Sequence, residues 1–159
     1  MKSFGAIGRG VLLALLVGLL LVFGILWPLF EAFFDPEMIR EASWAVVVFA
    51  FACAVAFYFG GMISSYHAPA RHRLHGTLVA PVTFLISPVI NLIAGKGPFP
   101  EVETYIAAAL IIAFFVVALA AAFAGARRGE ALYNHNTNYL RRREAAKAKR
   151  LRTARPHEE

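Results

Sequence analysis

Charge is missing from four long stretches of this chain. Segments 10–30, 44–63, 77–94 and 105–124 contain no Asp, Glu, Lys, Arg or His. Each has 18 to 21 residues, and as an α-helix each covers roughly 27–32 Å, about the thickness of a bilayer's hydrocarbon core. The missing charge removes the groups that normally mark pumps, transporters and proton relays. Cysteine is almost absent too. Cys53 stands alone and mid-segment, which excludes an intramolecular disulfide, a Cys-based zinc site and C-x-x-C-H haem attachment. No histidine lies inside an apolar segment to hold a b-type haem, and neither a G-x-x-x-x-G-K-[ST] phosphate loop nor an H-E-x-x-H pair occurs. Ser64, Ser65 and His67 have no acid nearby in sequence to orient the histidine as a base. No catalytic residue, no cofactor and no enzymatic role is therefore expected.

What is present is apolar mass and asymmetric charge. Hydrophobic residues make up 59% of the chain, above the roughly 45–50% of soluble domains. The expected fold class is all-α: a polytopic membrane protein with four transmembrane helices in a bundle. Residues 1–126 form the membrane domain and 127–159 a basic tail, partly helical or disordered. The first segment follows Lys2 and Arg9 as a signal peptide would, but it is 21 residues long and runs into Trp27-Pro28-Leu29-Phe30 without a small-residue cleavage site. It reads as an uncleaved span whose aromatic outer end anchors at the interface.

Charge sets the orientation. The loop after the first span holds Glu31, Asp35, Glu37 and Glu41 against Arg40, and the loop after the third holds Glu101 and Glu103 against Lys96. Between the second and third spans lie Arg71, Arg73 and three histidines with no acid. From Arg127 onward there are ten Lys or Arg and four acids, a net of +6. With both termini inside, 14 of the 16 basic residues face the cytoplasm, as the positive-inside rule requires. A re-entrant third segment would put the ten-residue basic tail outside, so that segment is expected to cross. Localisation is expected in a bacterial cytoplasmic (inner) membrane.

Local signals fill in the spans. Asp35-Pro36-Glu37 has a cap, a first-turn proline and an acid at the positive helix end, so the second helix is expected to start near Pro36. Pro100-Glu101-Val102-Glu103 repeats that logic before the fourth. Pro81 and Pro88, seven apart, kink the third, with Ser87 and Asn91 beside the second kink as the expected intramembrane polar site. Gly60 and Gly61 either admit a close neighbour or loosen their helix. Ala120 and Ala124, like Ala121 and Gly125, have the small-x-x-x-small spacing of packing faces. Tyr133 to Asn138 reads as a polar helix breaker.

Two clusters are candidates for binding. His67, His72 and His75 would be metal ligands, but Arg71 and Arg73 repel a cation and no acid supports the set, so a cationic interfacial loop is expected. Arg141, Arg142, Arg143, Lys147, Lys149 and Arg150 form a surface for anionic headgroups of the bilayer or for a partner. No nucleic-acid-reading motif accompanies them. Gly60-Gly61, the short basic loop and Leu74-His75-Gly76-Thr77-Leu78-Val79-Ala80 together resemble small bacterial four-helix membrane proteins without an established activity. The resemblance implies topology and bacterial origin. The expected role is a structural or interaction component, a homo-oligomer or a subunit of a larger membrane complex. The alternative is a small transporter or channel with an uncharged pathway along the third span.

Overall fold

The computed structural model describes residues 2–34, 43–93 and 104–154, with the side chains at 2, 43, 90, 91, 104, 107 and 150–154 outside that description. The helix starts expected near Pro36 and Pro100 lie outside the described residues. Everything described is helix or short turn. Helix α1 (Lys2–Leu19) runs through a π-helical segment, Leu20–Leu26, into α2 (Trp27–Phe33). Then come α3 (Ser43–His67), α4 (His72–Thr77), α5 (Val79–Ile93) and α6 (Thr104–Ala154). Among the described residues three helical stretches are long and apolar enough to cross a membrane: Ser3–Phe33, Trp44–His67 and Ala108–Lys149.

Proline explains two departures from a plain set of helices. Pro28 cannot donate to the Gly24 carbonyl four residues back, and its ring crowds that position. The chain widens before it instead of breaking, and the Trp27 N–H reaches back five residues to the Val22 carbonyl. The expected third span, 77–94, is corrected in a similar way. It is one helix from Val79 to Ile93, and only its start shifts: Pro81 cannot donate to Thr77, the helix breaks at Leu78, and Thr77 ends the preceding helix α4. Pro81 falls in the first turn of α5, where a missing N–H is harmless, and Pro88 lies inside the same helix. α5 has 15 residues, about 22 Å of rise.

The polar breaker expected at Tyr133 to Asn138 is also corrected. α6 runs unbroken for 51 residues, about 76 Å, so the basic segment prolongs the last helix instead of forming a separate tail. Low propensity at the Asn-rich stretch is overridden by packing, since Tyr133 and Asn136 both meet Tyr66 of α3.

The contacts fix the helix directions. Gly10 meets Gly60 and Ser64, Gly18 meets Ala56, and Phe30 meets Phe49 and Trp44, so α1–α2 runs antiparallel to α3. Tyr58 meets Gly125, Met62 meets Gly129 and Tyr66 meets Tyr133. The two numbers rise together, so α3 and α6 are parallel. Gly76 lies on Ala126 and on the Gly61 carbonyl, while Phe84 lies between Phe57 and Phe115. The α4–α5 pair therefore runs antiparallel to both. α3 is central, with α1 on one side, α6 on the other and the Val79–Ala80 junction, fully buried, wedged among them.

Glycine makes this proximity possible. A Cβ on Gly61 would overlap the Ala122 backbone, one on Gly125 the Tyr58 carbonyl, and one on Gly129 the Met62 carbonyl. Gly60 and Gly61 thus admit neighbours on two sides, and α3 passes through them without a break. The packing expected at Ala120 and Ala124 is corrected: both are exposed, and the buried positions are Ala118, Ala122 and Ala126. Of the two expected pairs, Ala121 and Gly125 lie toward α3, Gly125 against the Tyr58 carbonyl, while Ala120 and Ala124 do not, because Gly125 and Gly129 decide which face approaches α3. Outside this seam the helices are apolar and open. Phe23 is 66% exposed, Phe51 70% and Leu85 75%.

Gly61→Ala is expected to lower stability by roughly 1–3 kcal/mol, because backbone on both sides cannot yield. Nothing stands within 4 Å of a Cβ at Gly5, so Gly5→Ala is expected to stabilise its helix by about 0.5–1 kcal/mol. Thermal unfolding in one detergent, read by circular dichroism, compares the two. Equal stability would show that α3 and α6 do not touch as described.

Candidate functional site

Most of the side-chain hydrogen bonds among the described residues fall where α3, α4 and α6 meet. The sequence folds this way because α3 must stop and α4 must return beside it. Ala68 donates its N–H to the Ser65 carbonyl at 3.3 Å, Pro69 prevents further helix, and Arg71 turns the chain with φ 49° and ψ 46°. A left-handed conformation at a residue with a Cβ costs about 1–2 kcal/mol. Surrounding contacts hold it, since the backbone N–H of His75 donates to the Arg71 carbonyl at 3.3 Å and the ring Nδ1–H at 3.2 Å.

Each buried hydroxyl in this corner ties two elements together. Ser64 and Ser65 have no exposed surface. Ser64 Oγ donates to the His75 carbonyl at 3.0 Å, joining α3 to α4, and Ser65 Oγ donates to the Ala126 carbonyl at 2.8 Å, joining α3 to α6. His72 donates through Nδ1–H to the Ser65 carbonyl at 2.7 Å while its ring lies 4.4 Å from that of Tyr133. Asn136 Nδ2 donates to the Tyr66 hydroxyl at 2.9 Å, and Arg73 pairs with Glu130 at 2.5 Å. No buried side-chain nitrogen or oxygen among the described residues lacks a hydrogen-bond partner.

The three candidate metal ligands are thus engaged separately. His67 donates Nδ1–H to the Ile63 carbonyl one turn back in its own helix, His72 to Ser65 and His75 to Arg71. Among the described residues no group of three or more His, Cys, Asp or Glu is placed to hold a metal ion. Of the expected intramembrane polar pair, Ser87 is exposed on α5, while the Asn91 side chain lies outside the described residues. Thr83 is the buried polar residue of that helix, and its hydroxyl donates to the Val79 carbonyl at 2.7 Å. A groove of about 300 Å³ beside it, between α1, the π segment, α3 and α5, is lined by Gly18, Val22, Phe23, Ala56, Phe57 and Thr83 among others. It is apolar apart from that threonine.

The basic surface occupies the far part of α6. Arg141, Arg142, Arg143, Lys147 and Lys149 are exposed, and the Arg150 side chain is outside the described residues. Sequence reasoning missed the docked part of this helix. Tyr133, Asn136, Glu130 and Gly129 all touch α3 or α4, yet the boundary drawn at residue 127 assigned them to a tail. The signal was available: Gly125 and Gly129 are four apart, straddling Arg127 and Arg128, and Tyr133 follows one turn later.

Neither a protein-family model, nor a curated protein, nor a solved structure matches the chain.

The two kinds of contact in this corner differ in weight. Ser65→Ala is expected to destabilise by about 1 kcal/mol, since a buried carbonyl loses its partner hydroxyl. The Arg73–Glu130 pair is 60% and 25% exposed on its two sides, and Arg73→Ala is expected to change stability by less than about 0.5 kcal/mol. Denaturant titration in micelles ranks them. The reverse order would mean that the ion pair, not the buried hydroxyl, fixes the corner.

Proposed function

We propose that this chain is an integral protein of a bacterial cytoplasmic membrane that crosses it four times with both ends inside. In this reading it acts without catalysis, as a structural or interaction component or as an accessory subunit. The parallel packing of α3 and α6 supports four crossings. α3 ends at His67 beside the part of α6 near Tyr133, so the chain between them must travel back along the bundle before α6 begins. α4 and α5 run in that direction and together carry 6 and 15 helical residues, about 30 Å of rise. The exposed apolar surfaces of α1, α3 and α6 support immersion in lipid, because water would make such surfaces costly.

One observation carries the interaction reading: α6 leaves the bundle as an unbroken helix whose surface is basic. Closer in, Arg71, Arg73, Arg127 and Arg128 are exposed around the end of α3, at the level where anionic headgroups would lie. Each is worth about 1 kcal/mol in that position. The buried polar groups support the same view, since they are bonded to backbone within the bundle and leave little free for chemistry. In this reading part of the open apolar surface is covered by a second copy or by another subunit, and the rest by lipid. The alternative, a transporter or channel along α5, has less behind it. Ser87 is exposed, the Thr83 hydroxyl is engaged by its own helix and the adjoining groove is apolar.

Topology is tested in a Cys53→Ala background carrying one new cysteine at a time. A membrane-impermeant thiol reagent applied to intact cells is expected to label Gly97→Cys and to leave Ser3→Cys and Thr153→Cys unlabelled until the cells are opened. Labelling of Thr153→Cys from outside would end the four-crossing reading. The role is tested by gentle detergent extraction and native mass spectrometry, where an assembly larger than one chain is expected. A strict monomer with nothing bound would count against the interaction reading.

A further inference from the structure

The face of α6 that packs on α3 does not stop where α3 stops. At 100° per residue, Ala122, Ala126, Gly129 and Tyr133 share one face with Thr137, Leu140, Glu144 and Ala148. The first four lie against α3 or α4. The last three of the second set are exposed, Leu140 by 54%. The seam therefore continues for several turns after its partner has ended. Lys147 lies on this face, at the same angle as Gly129, with Arg141 flanking it on one side and Arg143 on the other, and Arg142 and Lys149 behind.

Distance separates this stretch from the bilayer that the protein would occupy. Apolar sequence in α6 ends near Ala126, and at 1.5 Å per residue Arg141 stands roughly 20 Å further along the axis and Lys149 roughly 35 Å. The helix is held in line by Tyr66 through Tyr133 and Asn136. Screening confines attraction by headgroups to within about 8 Å at physiological ionic strength. The far basic residues consequently serve something other than the protein's own membrane surface.

We infer that the far part of α6, from Thr137 to Lys149, is a docking surface for an acidic amphipathic helix of a partner protein. The partner's apolar residues continue the α3-like packing along Leu140 and Ala148, and its acids pair with Arg141 and Lys147. This rests on the reading of the chain as an interaction component and names the chemistry of the partner. A second copy fits less well, since two such rods bring like charges together. Nucleic acid fits less well too, because Leu140 and Ala148 on the seam offer phosphate no hydrogen bond, whereas they can pack against apolar residues of a helix.

The test uses the full chain in nanodiscs of zwitterionic lipid. It is titrated with a synthetic helix of Glu/Leu heptads, with the same residues scrambled so that the leucines form no seam, with duplex DNA, and with phosphatidylserine vesicles. The heptad helix is expected to bind at least about tenfold more tightly than the scrambled one. Leu140→Ser combined with Ala148→Ser should remove that preference, and Arg141→Glu combined with Lys147→Glu should abolish binding. These positions are exposed, so the bundle's helical signal should be unchanged. Equal binding of the two peptides overturns the inference, as does tighter binding of DNA or of the vesicles at the same salt. Native mass spectrometry reads assembly separately. A larger assembly with no preference between peptides sinks this inference alone, while a monomer that still prefers the heptad helix removes the oligomer and leaves the docking surface standing.

Discussion

Backbone touches backbone along the line where α3 and α6 meet, and most of the molecule's geometry follows from that contact. At Gly61, Gly125 and Gly129 a single added carbon would collide with a main-chain atom of the facing helix. In the proposed lipid setting no hydrophobic force would draw one helix to another, and close approach, dispersion and weak Cα–H···O contacts would supply the attraction. The contact works only in one register, which sets the two helices parallel and level. Parallel neighbours oblige the chain between them to return, and α4 and α5 do so in the space beside Gly60, Gly61 and Gly76. The Val79–Ala80 junction is buried because that space is narrow.

The same corner shows why the polar residues are where they are. Ser64 and Ser65 follow the glycines by one turn on α3, so they fall at the depth where the helices are already close. A hydroxyl there reaches the next helix's carbonyl without a bridging water. His72 and Tyr133 stack just beyond, where the helices begin to separate and larger side chains fit. Small residues, then hydroxyls, then rings form a graded seam from the apolar interior to the basic end. The strain at Arg71 is part of that arrangement, since α4 must enter the gap at once for Gly76 to lie on Ala126.

Much of this was legible in the residues. Uncharged runs located the helices, and of the two readings of Gly60-Gly61, a close neighbour or a loosened helix, the first describes the structure. The prolines were seen, but their effects were only half read. Pro81 reads as a bend within the third span, whereas a residue unable to donate to Thr77 sets the break at Leu78 and so the start of α5. Pro28 was taken as part of an aromatic anchor, and the π-helical widening before it has no sequence signature beyond the proline itself. Two registers are readable in the last helix, Ala120 with Ala124 and Ala121 with Gly125, because alanine is common along it and spacing alone does not separate either from Ala118, Ala122 and Ala126. Only the partner glycines make that choice. The Asn-rich stretch was read from propensity, a local quantity, while its helix is held by Tyr66, which lies about seventy residues away in sequence.

The far part of α6 gains its helicity from what precedes it. A peptide of Ala, Arg and Lys of that length would be marginal alone, because starting a helix is the unfavourable step. Here the start is made inside the bundle, and the rod needs only propagation. Propagation is opposed, however, by its own charge. Arg141, Arg142, Arg143, Lys147, Lys149, Arg150 and Arg152 face a single acid, Glu144, and like charges three and four apart destabilise a helix by a few tenths of a kcal/mol per pair. Repulsion rises toward the end, where support from α3 has ceased. Any anionic occupant relieves it, so binding and ordering of the rod favour each other. The residues that anchor the rod, Tyr66, Tyr133 and Asn136, then have a purpose beyond packing: they give a charged helix a fixed base and a fixed direction away from the end of α3.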